Sequence, residues 1–212
     1  MIKGKVGALL LFLLFFSITS NAQNFEGKIV YSITYNSKMP NATNEQLALM
    51  LGNKHEYFIK GGNYKTVTNG TFLLWQVFIN KDGKSYSKMA NAEPLLYNDV
   101  TVAIDELLKS EKNENVVTIL GYPCHELVFT SKNSQEKYYY NPTLKLDASV
   151  FASHKLGNWN EFTRQANAVP LKMTISNIQF TMDATAIEIL PMKLDDKLFE
   201  LPAGVKTEKS PF

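Results

Sequence analysis

The sequence predicts a mainly β, α+β domain: an antiparallel sheet curved around a core that short helices cover. Three observations predict it. Residues 25–35 place Phe25, Ile29, Tyr31, Ile33 and Tyr35 on one face and mostly polar side chains on the other, the period of a half-buried strand. Short apolar runs separated by Gly and Asn turns then follow between Glu56 and Met89, the spacing of an antiparallel meander. Within that meander, residues 72–79 are apolar on both faces, so something must cover each side of the strand.

The elements follow in order. Thr43 or Asn44 can cap a short helix over 45–51, whose Leu47, Leu49, Met50 and Leu51 form an apolar patch before Gly52 ends it. Strands are expected at 56–60, 64–68, 71–80 and 85–89, with turns at Gly61-Gly62 and over 81–84. Val100, Val102, Ala103, Ile104, Leu107 and Leu108, opposite Asp105 and Glu106, predict a second helix over 99–109. Strands resume at 116–120, 125–130 and 137–140, with a turn at 131–134. Residues 142–169 show no clear period and read as a long loop with one or two short elements, a kind of loop that is often functional. Two strands within 171–190 meet at a turn or bulge near Asn177, because the apolar phase slips between Ile175 and Ile178.

Residues 1–22 read as a signal peptide: Lys3 and Lys5, an apolar run over 6–18, and Ser20-Asn21-Ala22 before a cleavage point at Ala22/Gln23. The run is shorter than the roughly 17–25 residues of a membrane span. The expected product is a soluble periplasmic or extracellular protein, with one β-rich domain over 23–205 and a frayed polar tail over 206–212. Cys124 is the single cysteine and lies far from the leader, so the chain is not expected to be a lipoprotein or to hold an internal disulfide.

Lys3 and Lys5 supply the whole excess of 22 basic over 20 acidic residues, and the remainder is close to neutral. Together with Arg164 as the single arginine, this argues against nucleic acid as a partner. Cys124 and His125 are neighbours on a strand and point to opposite faces, which reads Cys124 as a core residue rather than a nucleophile. His55, His125 and His154 lack metal-ligand spacing, so neither a metal nor another cofactor is expected. Asp105-Glu106 reads as the wet side of a helix and Asp195-Asp196 as a cap or turn. No catalytic residue is assigned, and a hydrolase or redox enzyme ranks last.

Four segments carry a resemblance: Phe25-Glu26-Gly27-Lys28-Ile29-Val30-Tyr31, Gly121-Tyr122-Pro123-Cys124-His125-Glu126-Leu127, Val169-Pro170-Leu171-Lys172-Met173, and Asp195-Asp196-Lys197-Leu198-Phe199-Glu200-Leu201-Pro202. In this order the chain resembles an uncharacterised family of exported bacterial proteins related to the LolA/LppX lipoprotein-carrier group. The resemblance implies an incomplete β-barrel with short helices plugging its concave face and an apolar cavity between them.

Strand phase and the predicted first helix give an expected cavity lining of Ile29, Tyr31, Ile33, Leu47, Met50, Leu73, Trp75 and Val77. The expected function is binding of a lipid or other hydrophobic ligand, an acylated polypeptide among them. The alternative is a cell-envelope module with a packed core and a protein partner.

Overall fold

The computed structural model describes residues 24–211; the signal peptide expected over 1–22 lies outside them. The first strand, β1 (Gly27–Ser37), leads into helix α1 (Asn44–Leu51). Thr43 caps α1 with a reciprocal capping box to Gln46, and Gly52 ends it, as its Thr-x-x-Gln start and following glycine dictate. Five strands succeed it: β2 (Lys54–Lys60), β3 (Asn63–Thr68), β4 (Leu73–Ile79), β5 (Lys84–Met89) and β6 (Leu95–Asp99). After a crossing segment come β7 (Leu107–Ile119), β8 (Tyr122–Ser131) and β9 (Gln135–Lys145). Leu120 and Gly121, at φ 48° and 83°, make the two-residue turn between β7 and β8. An insertion then carries 3-10 turns at Ala148–Phe151 and Leu156–Asn158 and helix α2 (Trp159–Ala166), before β10 (Ala168–Ser176), β11 (Phe180–Pro191) and β12 (Thr207–Lys209).

The twelve strands of the described residues share one open, unclosed sheet in the order β12-β6-β5-β4-β3-β2-β1-β11-β10-β9-β8-β7. Strands β2 to β6 extend from β1 as a meander. The chain then crosses to the far edge and returns through β7 to β11, which pairs with β1.

That order forces the sheet to bend. Strands β6 and β7 stand ten steps apart, about 48 Å in a flat sheet at ~4.8 Å per step. The chain from Asp99 to Leu107 reaches about 30 Å at most. Two bonds record the bend: Phe25 N–H donates to Lys145 O at 2.7 Å although β1 and β9 are three steps apart, and Tyr31 Oη donates to Pro170 O at 2.7 Å across β11.

The crossing corrects the expectation of a helix over 99–109. A helix rises only ~1.5 Å per residue, too little for this connection, and residues 100–106 run as turns and bends instead. Within them Val100 is fully buried while Val102 and Ile104 are exposed. The polar tail is also ordered where fraying was expected. Residues 207–209 pair in parallel with Leu95–Tyr97, flanked by Leu95 N–H to Lys206 O at 2.9 Å and Ser210 N–H to Tyr97 O at 2.8 Å.

The larger core lies on the inner face and gathers Ile29, Tyr31, Ile33, Phe78, Phe129, Tyr138, Phe151, Phe162 and Leu171. A smaller one, Val77, Ile79, Tyr86, Leu194 and Phe199, lies on the other face. There Asp195 caps the 3-10 turn Asp196–Phe199 through Lys197 N–H. Residues 77–79 are thus covered on both sides, whereas Phe72 at the start of the predicted run is exposed. The insertion rests on the inner face: Trp159, Phe162, Thr163 and Ala166 of α2 are buried, at the i, i+3, i+4, i+7 spacing of one helix face. This short helix lies inside the segment whose period was not evident from sequence.

Candidate functional site

Between the insertion and the inner face lies an open cleft of about 300 Å³. Its walls come from Tyr31 and Tyr35 on β1, His55 and Tyr57 on β2, Tyr64 and Thr66 on β3, and Leu73 and Gln76 on β4. Tyr138, Met173, Ile175 and Met182 follow from β9, β10 and β11, and the insertion supplies His154, Leu156, Gly157 and Trp159. Among the described residues, no Asp, Glu, Lys or Arg side chain lines it.

Alternation explains the strand contributions, since residues two apart on β1, β2 and β3 face the same side. The insertion is positioned by its own bonds. Lys155 N–H donates to Val100 O at 2.7 Å, tying it to the crossing segment, and Tyr138 Oη donates to Gly157 O at 2.7 Å. Gly157 and Asn158, at φ 62° and 53°, form a left-handed pair that glycine and asparagine tolerate best, and they set the angle at which α2 enters.

The rings form a continuous aromatic wall. Tyr64 lies 5.4 Å from Tyr57, 5.1 Å from Phe78 and 6.0 Å from Trp159, centroid to centroid. Behind it His154 meets Phe78 edge-on at 4.6 Å, and Phe162 stacks on Tyr138 at 4.5 Å. Separations of this size suit favourable aromatic pairing.

Burial keeps the titratable groups neutral. It pushes the His154 imidazole down to about 4, an effect that backbone groups of His154 and Leu156 partly offset, and it lowers His55 as well. Tyr35 is pushed up to about 12, and Tyr31, Tyr57, Tyr64 and Tyr138 are also raised by burial. A tyrosine nucleophile with a histidine base would need the opposite shift in the phenol.

Most polar atoms of the lining are paired within the protein: Tyr64 Oη with His154 Nε2 at 2.8 Å, Tyr35 Oη to Gly52 O at 3.0 Å, and His55 Nε2 to Leu51 O at 3.0 Å. Three are not. Tyr57 Oη, His154 Nδ1 and Trp159 Nε1 are shut off from solvent and have no hydrogen-bond partner, and all three residues line this cleft.

Of the residues predicted from sequence, Tyr31 and Leu73 line the cleft. Ile29 and Ile33 lie in the packed inner core rather than at a cavity wall, and Leu47, also in that core, borders only the surface groove outside α1. Met50 and its neighbour Leu49 are exposed, beside a shallow surface groove with Gln46, because only Leu47 of α1 turns fully inward. Trp75 and Val77 face the opposite side of the sheet. The β4–β5 register shifts between Leu73 and Trp75, and such a bulge exchanges the faces that simple alternation would assign.

The lining residues not predicted include His55, Tyr57, Tyr64, Tyr138, His154 and Trp159. The Trp159-Phe162-Thr163-Ala166 spacing was the available signal for the insertion. Among the described residues there is no group of three His, Cys, Asp or Glu side chains suited to a metal, and no helix long and apolar enough to cross a membrane.

No family model and no curated protein matches the chain. Two similar solved structures are those of PNGF-II in the P21 and C2 space groups. The first shares 10% identity over 87% of this chain at a TM-score of 0.47, and the second 13% identity over 87% at 0.45. This chain spans about a third of the length of those proteins, 32% and 31%.

Proposed function

We propose that this protein binds a lipid or other small hydrophobic ligand by reversible sequestration in the cleft. In this reading the bent sheet acts as an incomplete barrel, the insertion with α2 is its plug, and the leader directs the protein out of the cytoplasm. The resemblance to the carrier group adds to the reading.

The observation that carries it is the neutral aromatic cleft. Small-molecule sites are concave and mostly apolar, with a few polar groups, and occupy roughly 300–1,000 Å³. At about 300 Å³ the cleft suits a ring system or part of one acyl tail better than an intact phospholipid.

The test is extraction of the purified protein with organic solvent followed by mass spectrometry, paired with thermal melts in the presence of palmitate and phosphatidylglycerol. A co-purifying apolar molecule or a concentration-dependent rise in Tm is expected. Absence of both sinks the proposal.

A second reading, an envelope interaction module, rests on Ile104 and Ile178, which are 77% and 85% exposed on a groove of about 370 Å³. Exposed apolar patches mark contact surfaces. Ile104→Ser/Ile178→Ser would abolish binding to an identified envelope partner and leave ligand extraction unchanged if that reading holds.

A further inference from the structure

We infer that the cleft selects a neutral, ring-bearing molecule with an uncharged hydrogen-bond acceptor, such as a ketone, ester or ether oxygen, which Trp159 Nε1 and Tyr57 Oη bind together. The inference rests on the cleft being a ligand site and specifies the ligand's chemistry.

Charge comes first. With no ionised side chain in the lining, a free carboxylate or ammonium would be desolvated without a counter-charge, a cost far larger than that of a neutral oxygen. The charged end of a fatty acid would therefore have to remain in solvent, outside a small cleft.

Hydrogen bonding comes second. An indole N–H only donates, and a phenol donates or accepts. The buried and unpartnered Trp159 Nε1 and Tyr57 Oη, whose rings both pack against Tyr64, can thus each donate to an acceptor oxygen of the ligand. Neither atom is open to solvent in the structure, so their engagement includes a displacement of the wall at Trp159. Gly157 and Asn158, immediately before that residue, are held by Tyr138, Ser131 and Glu136, so the displacement is a rotation of the Trp159 side chain itself.

Shape comes third. The Tyr57, Tyr64 and Trp159 rings are mutually tilted by 33° and 57°, an aromatic wall against which a rigid ring loses less freedom than a flexible chain.

Three matched probes test this: 1-tetralone, its hydrocarbon tetralin, and tetralin-1-carboxylate, titrated calorimetrically into the full chain at pH 7.5. Tetralone should bind at least about fivefold more tightly than tetralin, the value of the first of its two neutral hydrogen bonds. The carboxylate should bind at least about tenfold more weakly than tetralone.

The Trp159 indole resonance, identified by its loss in Trp159→Phe, should move with tetralone and stay with tetralin. Tyr57→Phe should erase part of the tetralone advantage and leave tetralin binding intact. Equal binding of tetralone and the carboxylate, or an indole resonance indifferent to tetralone, overturns the inference while the ligand site stands. If neither the three probes nor palmitate bind, the ligand reading itself fails and takes this inference with it.

Discussion

Tyr64 Oη and His154 Nε2 stand 2.8 Å apart, joining the meander to the insertion across the cleft. His154 is 2% exposed, and its pKa falls from 6.5 to about 4 because burial penalises the charged ring. The folded state binds its proton more weakly than the unfolded state. The stability from the neutral ring is complete above about pH 6.5 and is lost as the pH falls toward 4. Its magnitude is about 3 kcal/mol. Urea unfolding between pH 7.5 and 4.5 should therefore show a steeper loss for the native protein than for His154→Gln. Equal slopes would contradict this.

The Glu136 carboxyl gives the opposite sign. Glu136 is buried and burial raises its pKa, against hydrogen bonds from Ser134 and Asn158 and with a further rise from the Asp105 charge. Ser134 Oγ lies 2.9 Å from both Asp105 Oδ2 and Glu136 Oε1, yet one hydroxyl proton can serve only one carboxylate. A proton on Glu136 would supply the second donor that this arrangement lacks. Its contribution is full below the unfolded value of 4.5 and declines as the pH rises through the raised folded value. Glu136→Gln should lose less stability than the native protein between pH 5 and 8, measured by chemical denaturation.

Depth of burial decides what the helices contribute. Phe162 is fully buried and stacked on Tyr138, so Phe162→Ala should cost about 3–5 kcal/mol. Met50 is 42% exposed, and Met50→Ala should stay within about 0.5 kcal/mol. A comparable cost for the two would show that α2 is not the anchored plug. Urea midpoints measure both.

Cys124 is fully enclosed, its Sγ donates to Tyr122 O at 3.2 Å, and burial raises the thiol pKa. A thiolate reagent such as DTNB should leave the native protein unlabelled at pH 8 and label one thiol after unfolding in guanidinium. Rapid native labelling would refute the buried assignment.

Local chemistry made much of this fold legible. Alternation marked β1, whose predicted inward residues Ile29, Tyr31, Ile33 and Tyr35 are buried, as is Phe25 just before it. Thr43 and Gly52 bounded α1, and Asn177 made its turn, with Oδ1 accepting from Gln179 N–H at 2.8 Å and Phe180 N–H at 3.0 Å. Helix α2 escaped because its apolar spacing fills barely two turns. The apolar residues at 100–108 mimicked a helix because their period is compatible with one, while the strand order requires an extended crossing.

The sequence by itself determined the strand-rich class, the position of α1 and the buried state of Cys124, because each depends on neighbours within a few residues. Only the tertiary structure decided that Leu73 faces the cleft while Trp75 and Val77 face away, since pairing with β5 places the bulge between them. It alone brought His55, Tyr57, Tyr64, His154 and Trp159 to one cleft, from two hairpin strands and an insertion some ninety residues later. Such convergence comes from sheet order and bending, long-range quantities that no local period encodes.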